Sequence, residues 1–186
     1  MRVMPYDHTP EHLRQLREVC ISQASERART SEAYAAFTLL MYCDPYLEHG
    51  IAYMLVDDED RACGYVLSSG SIDAWERAFA PYRARIEELG PEYARRVADE
   101  YGYYRSVADA YPAHLHIDIA EDATGHGHGR ALMETLLARL REEGVAGVSF
   151  GVSESNERAI GFYRHMGFTE LAEYDDGAGH TFAMRL

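Results

Sequence analysis

Residues 114–132, HLHIDIAEDATGHGHGRAL, concentrate groups that could do chemistry. His114, His116 and Asp118 alternate with apolar residues, as they would along one face of a β-strand. Three alternating glycines follow between residues 125 and 129, directly before a run with helical periodicity. An anion site, a metal site or a plain turn would each account for glycines at such a junction.

The anion site has a physical mechanism. The start of a helix exposes unpaired backbone N–H groups and the positive end of the helix dipole. Glycines there let an anion approach those N–H groups, and they adopt positive φ at little cost. Arg130 adds a fixed positive charge in the first turn. The predicted phosphate or pyrophosphate site comprises Gly125, His126, Gly127, His128, Gly129 and Arg130.

Known phosphate loops do not fit this stretch. A Walker loop requires lysine, and all 18 basic residues of the chain are arginine. A dinucleotide fingerprint requires a third glycine where Leu132 stands. A metal site is the alternative raised by four histidines, His114, His116, His126 and His128. No cysteine or carboxylate pattern supplies the remaining ligands that such a site usually has. We predict no bound metal, and the plain turn stays open.

The bulk composition limits the class of protein. A chain of 186 residues with 47% hydrophobic residues fits one ordered domain, residues 1–186. The formal charge of −13 disfavours nucleic acid and anionic membranes as partners, but it suits cationic substrates. We find neither an apolar run long enough to span a bilayer nor a signal peptide, so a cytoplasmic location is the default expectation.

The residue pattern predicts a mixed α/β fold. The chain begins with a short strand at 2–6, helices at 10–23 and about 30–43, and an acidic-turn hairpin formed by IAYMLVDD and RACGYVLSSG. A helical, aromatic-rich insertion covers about 72–110 and is split at Gly90 and Pro91. The predicted elements after it are a strand at 113–120, a helix at 129–142, a strand at 146–152, a helix at 156–166, and strands at about 168–174 and 180–186 that flank DDGAGH. The central strand–helix–strand unit requires a right-handed crossover and a parallel pair.

Two motifs in order resemble those of the GNAT N-acetyltransferases. TGHGHG, residues 124–129, resembles the acetyl-CoA-binding motif Gln/Arg-x-x-Gly-x-Gly/Ala, with Thr124 where the family usually has Gln or Arg. NERAIGFYRHMGFTEL, residues 156–171, resembles the family's Asn-x-x-Ala-x-x-Phe-Tyr-x-x-x-Gly-Phe. The resemblance covers about 112–174. It implies a GNAT fold: a central, mixed, twisted sheet of about six or seven strands flanked by helices, with the helical insertion before the acetyl-CoA-binding strand.

A narrower resemblance spans most of the chain. YPAHLHIDI, DPYL and GYVLSSGSIDAWE are similar to segments of bacterial relatives of the acetyltransferase-like domain of O-GlcNAcase. This similarity includes the insertion and names no substrate.

The family resemblance implies how a cosubstrate, acetyl-CoA, would be bound. Backbone groups of Ile117, Ile119 and Ala120 would pair with the pantetheine arm like a surrogate strand. Asn156 would start a helix as its N-cap and contact the same arm. The backbone of residues 125–130, after Thr124, would bind the pyrophosphate.

The chemistry itself needs a proton acceptor and a proton donor. We predict Asp118 as the base or amine-orienting carboxylate, with His116 in reserve, because ionisable side chains on an interior strand require a polar cleft. Tyr163, in the second motif, is the predicted donor to the leaving thiolate.

We expect an N-acetyltransferase whose acceptor is a small-molecule or peptide primary amine, acting as a monomer or homodimer. The alternative is a catalytically silent acyl-CoA-binding or scaffold module. The acceptor pocket would be shaped by the first two helices, at 10–23 and about 30–43, and by the insertion. The candidate residues, which could equally pack the insertion onto the core, are Asp73, Trp75, Tyr103, Tyr104 and Tyr111.

Overall fold

The computed structural model describes residues 1–173 and 179–186, which form a seven-stranded mixed sheet with helices on both faces. The strands are β1 Arg2–Pro5, β2 Ile51–Val56, β3 Ala62–Ser69, β4 Ala113–Ile119, β5 Gly147–Ser153, β6 Thr169–Glu173 and β7 Gly179–Arg185. The helices are α1 Pro10–Gln23, α2 Glu26–Thr30, α3 Glu32–Tyr42, α4 Asp44–His49, α5 Ile72–Leu89, α6 Pro91–Val107, α7 His128–Glu142 and α8 Glu157–His165. The mixed α/β prediction is confirmed.

The strand order is β1-β2-β3-β4-β5-β7-β6. Every neighbouring pair is antiparallel except β4 and β5, which are parallel and joined through α7. This is the predicted crossover unit, since a parallel pair needs a long connection across the sheet. The predicted turn DDGAGH falls mostly on residues 174–178, outside the described residues.

The first helical region differs from the prediction. Thr9 caps α1 as expected, accepting a hydrogen bond from the backbone N–H of His12 at 3.2 Å. The helix predicted at about 30–43 is α3, whose start is capped by the Ser31 side chain, and the sequence did not predict the short helix α2 before it. The segment after Cys43 was expected to be non-helical. It forms α4 instead, because Pro45 lies in its first turn, where proline is tolerated.

The insertion forms two helices as predicted, and they pack as an outer layer. Gly90, at φ 145°, ends α5, and Pro91 begins α6. α5 contacts α3, α4 and α6, while α1 and α4 lie directly on the sheet. α5 therefore packs on α3 and α4, while Trp75 and Tyr104 of the insertion also contact His114 of β4 directly.

Two apolar cores lie on opposite faces of the sheet. One joins α1–α6 to Tyr65 and Leu67 of β3. The other joins α7 and α8 to Val66 of β3 and to β4, β5 and β7. β3 sends alternate side chains into the two cores, and β4 sends Leu115 into the second core while His114 and His116 face the helices of the first.

Within residues 1–173 and 179–186, no helix combines the length and apolar character needed to cross a bilayer.

Gly147, at the start of β5, allows the end of the insertion to pack closely on the sheet. A Cβ there would lie 2.6 Å from the Ala110 carbonyl oxygen and 2.9 Å from that of Met184. We expect Gly147→Ala to lower the free energy of unfolding by about 1–3 kcal/mol, since both obstacles are backbone. The control is Gly102→Ala in α6, where a Cβ meets nothing within 4 Å, and we expect a gain of up to about 1 kcal/mol. Urea denaturation measures both, and equal stabilities would contradict this account of Gly147.

Candidate active site

The parallel pair of β4 and β5 separates soon after it begins. Its register contains only Ala113 with Val148 and His114 with Ser149. Beyond His114, β4 stays paired with β3 up to Ile119. The two strands diverge and leave a wedge-shaped gap between them, which we call the wedge. The edge of β4 that faces this gap is held in place by β3 on the other side but is itself unpaired. An open strand edge can bind an extended ligand through its main chain.

The hydrogen bonds to β3 show which backbone groups face the wedge. Ala120 donates its N–H to the Cys63 carbonyl oxygen at 2.8 Å, and its own carbonyl accepts from Ala123 at 2.9 Å. Because backbone groups alternate sides along an antiparallel strand, those of Ile117 and Ile119 point away from β3, into the wedge. The two isoleucines fit the predicted contact, whereas Ala120 differs from the prediction because its N–H is already bonded.

The glycine loop ends beside the wedge and begins α7. Gly125 has φ 89° and Gly127 has φ 82°, conformations that favour glycine. Gly127 is the N-cap of α7 and provides no side-chain hydrogen bond. Within residues 1–173 and 179–186, the N–H groups from 125 to 130 have no acceptor. Six unpaired donors at the positive end of a 15-residue helix fit an anionic group.

Two arginines lie near this loop. Arg130 pairs with Glu134 along α7, with Nη1 3.2 Å from Oε1. Arg158, in the first turn of α8, donates from Nη1 to Thr124 Oγ1 at 3.4 Å. Sequence reasoning missed Arg158. It lies inside the second motif, but its proximity to the first depends on α8 packing across the wedge.

The loop histidines do not build a metal site. The His126 and His128 rings lie 6.0 Å apart between centroids. The part of the chain that the structure describes contains no group of three or more His, Cys, Asp or Glu side chains that could hold a metal ion.

The register of β3 with β4 runs without a break, so His114, His116 and Asp118 share a face. His114 is only 1% exposed. Its Nδ1 lies 2.8 Å from Ser69 Oγ, and its ring stacks on Tyr104 at 4.5 Å. Burial lowers the pKa of His114 well below its ordinary value. This histidine is a neutral part of the core.

His116 is partly exposed but surrounded by tyrosines. Its Nε2 lies 3.1 Å from the Tyr46 hydroxyl, and its ring meets Tyr42 edge-on at 4.9 Å. Burial lowers the pKa of His116 to about 3. At neutral pH it is an uncharged and weak base.

Asp118 lies on the same face of β4, in the part of the strand that has separated from β5. Burial raises the pKa of Asp118 to about 6, and a hydrogen bond from the Tyr65 hydroxyl opposes that rise. The carboxylate is therefore mostly ionised at pH 7 and far more basic than an ordinary aspartate. It fits the predicted base better than His116 does.

Tyr163 enters the site from α8, on the other face of the sheet. Its ring lies 4.5 Å from Phe150 and 5.9 Å from Phe182, and the residue is 7% exposed. Burial and the charge of Asp118 raise the pKa of Tyr163, which keeps its hydroxyl protonated. The ring is thus part of the core, while the hydroxyl interacts electrostatically with the Asp118 carboxylate.

Asn156 caps α8 as predicted. Its Oδ1 accepts from the Ala159 N–H at 3.1 Å. The amide NH₂ keeps its two donors for a ligand.

The insertion residues predicted to shape an acceptor pocket mostly pack instead. Trp75 is 2% exposed and donates to the Tyr101 hydroxyl, and Tyr104 is 4% exposed. Asp73 forms a surface ion pair with Arg105. The groups that stay partly exposed include Tyr103 and Tyr111, together with Tyr42 and Glu100, which sequence reasoning had not singled out.

Solved structures share this architecture. The crystal structure of SsHAT is 26% identical, covers 99% of this chain and 97% of that chain, and has a TM-score of 0.73. An agmatine N-acetyltransferase in its apo form is 16% identical over 100% of both chains, with a TM-score of 0.67. The ribosomal-protein-S18-alanine N-acetyltransferase from Escherichia coli is 18% identical, covers 100% of this chain and 93% of that chain, and has a TM-score of 0.54. The last two likenesses concern the fold alone.

The model of the Acetyltransferase (GNAT) family matches residues 22–168, which is most of the chain and includes the wedge, the glycine loop and all of α8. The protein is therefore a member of the GNAT acetyltransferase family, enzymes that transfer an acyl group from acyl-CoA to an amine.

Proposed function

We propose that this protein transfers an acetyl group from acetyl-CoA to a primary amine by direct attack in a ternary complex. One observation carries the proposal: the unpaired N–H groups of residues 125–130 lie beside the unpaired edge of β4. A ligand with a diphosphate and an extended amide-bearing arm matches both features at once.

The residues present fit that ligand. The N–H groups of residues 125–130 bind the diphosphate, and Arg158 adds the positive charge that Thr124 lacks. Backbone groups of Ile117 and Ile119 pair with the pantetheine amides. The Asn156 side-chain NH₂ donates to the same arm.

The bound thioester supplies the acetyl carbon and the leaving sulfur. Asp118 orients the amine and accepts its proton as the N–C bond forms and the C–S bond breaks. Tyr163 donates its hydroxyl proton to the departing sulfur. Asp118 then loses its proton to solvent and Tyr163 regains one, so both return to their starting states. His116, with its low pKa, orients rather than accepts.

The direct test is thiol release from acetyl-CoA with a panel of primary amines, run on wild type and Tyr163→Phe. We expect turnover by wild type and a loss in kcat of about 100-fold in the variant, with acetyl-CoA affinity unchanged, because only the proton donor is removed. Tyr82→Phe is the control, since Tyr82 lies on the insertion and its hydroxyl donates to Glu48 of α4. Equal kcat for Tyr163→Phe and wild type would remove Tyr163 from the chemistry. Tight binding without acetylation of any amine would support the silent module.

The raised pKa of Asp118 has a measurable effect on stability. The folded state holds this proton up to about pH 6, whereas the unfolded chain releases it near pH 4. Stability from this group is therefore fully present below about pH 4 and is lost as the pH rises through 6. We expect Asp118→Asn to gain about 2–3 kcal/mol relative to wild type between pH 4 and pH 7.

Asp57→Asn is the control for that measurement. Hydrogen bonds from Arg61 lower the pKa of Asp57, so its stabilisation is present at pH 7 and lost as the pH falls through the folded pKa. Relative to wild type, this variant should be less stable by a nearly constant amount between pH 4 and pH 7, because the stabilisation is lost only below the unfolded-state pKa of about 4. Urea denaturation at both pH values measures the two variants, and parallel behaviour would show that Asp118 is not perturbed as described.

Arg158 should contribute to coenzyme affinity. We expect Arg158→Gln to raise the Kd for acetyl-CoA about threefold to tenfold at low salt, with the difference shrinking at high salt because the group is exposed. Arg164→Gln, in the same helix but paired with Glu170, is the matched control and should bind normally. Calorimetry in low and high salt measures both variants. An unchanged Kd for Arg158→Gln would show that its position beside Thr124 has no role in binding.

A further inference from the structure

Glu100, in α6 of the insertion, is held by two tyrosine hydroxyls. Tyr42 donates to Oε2 at 2.8 Å, and Tyr104 donates to Oε1 at 3.1 Å. Both carboxylate oxygens therefore have fixed positions, although the residue lies in the outer layer of helices.

The same two tyrosines contact the polar face of β4. The Tyr42 ring lies 4.9 Å from the His116 ring, and the Tyr104 ring stacks on His114 at 4.5 Å. Glu100 is thus one aromatic ring away from the strand, on the face that carries Asp118. His116 and Asp118 are about 7 Å apart along that strand.

These groups remain partly accessible among buried neighbours. Tyr42, Glu100, His116 and Asp118 each keep part of their surface exposed, whereas Tyr46 and Tyr65 beside them are buried. These four accessible residues extend from the insertion to the proposed base. We call Tyr42, Glu100, His116 and Asp118 together the Glu100 arm.

Glu100 has no ion-pair partner in the part of the chain described by the structure. Arg96, one helical turn earlier, lies over the rings of Tyr34 and Phe37 at 5.6 and 5.8 Å. Burial raises the pKa of Glu100, and Tyr42, Tyr104 and Arg96 oppose that rise. Glu100 is thus mostly buried with no direct ion pair among the described residues, although the charge of Arg96 acts on it, and its carboxylate gains from binding a cation.

We infer that the Glu100 arm binds a second cationic group on the acceptor, so that the substrates are aliphatic amines with two positive charges, such as linear diamines. The reacting amine lies at Asp118 and the distal ammonium at Glu100. Tyr42 contacts both Glu100 and His116, and an aromatic ring there favours a nearby cation. This inference rests on the proposed function, and the chain's net charge of −13 favours the approach of such substrates.

The experiment compares cadaverine with n-pentylamine, which differ by one distal amino group. We expect wild type to have a kcat/KM at least about tenfold higher for cadaverine, because only cadaverine pairs with Glu100. Glu100→Gln should remove most of that preference by raising KM for cadaverine much more than KM for n-pentylamine. Calorimetry of cadaverine binding in the presence of CoA gives a second measurement, in which the variant should bind about tenfold more weakly.

Glu48→Gln is the matched control. Glu48 also accepts from a tyrosine hydroxyl, that of Tyr82, but it is an exposed residue of α4. It should keep the wild-type preference. Thermal melting checks that Glu100→Gln folds, and Glu100→Asp, with an intermediate loss, replaces it if it does not.

The outcomes separate the two claims. If wild type acetylates both amines equally, or if Glu100→Gln keeps the preference, the inference is wrong and the proposed function stands. If wild type binds acetyl-CoA but acetylates no amine, the proposed function is wrong and this inference falls with it.

Discussion

The site depends on the early separation of β4 from β5. Parallel pairing ends after His114 and Ser149, while β4 stays bonded to β3 as far as Ile119. An unpaired edge inside a sheet leaves backbone donors and acceptors without partners, which is unfavourable unless water or a ligand pairs with them. Here the edge is kept straight by the neighbouring strand and is therefore preorganised for an extended ligand. A single 3₁₀ turn, Glu121–Ala123, connects its end to the glycine loop, so the strand edge and the anion site lie next to each other.

The wedge also joins two layers that the sheet otherwise separates. Tyr163 belongs to the core of α7 and α8, whereas Asp118 faces the helices of the other layer. The charge of Asp118 nevertheless raises the pKa of Tyr163, because the gap between the strands lets the two groups approach. A proton acceptor and a proton donor can thus be supplied from opposite faces of one sheet, each held by its own core.

Burial adjusts the ionisable groups of β4 in opposite directions. It lowers the pKa values of His114 and His116 and raises that of Asp118, since desolvation disfavours whichever form is charged. The histidines are therefore neutral at pH 7, and the carboxylate is left as the stronger base. The aromatic layer that desolvates them is the same layer that carries Glu100, so the insertion shapes both the basicity of the site and its acceptor side.

The sequence by itself determined the order of most elements, the parallel crossover and the glycine loop, because periodicity, caps and short motifs are local properties. It did not predict α2 or α4, two short helices that a serine cap and a first-turn proline permit. It also could not show that the Ala120 N–H is bonded to Cys63, that Arg158 reaches Thr124, or that Glu100 lies one ring from β4. Those contacts join residues far apart in the chain, and only the packing of helices across the sheet decides which of them meet.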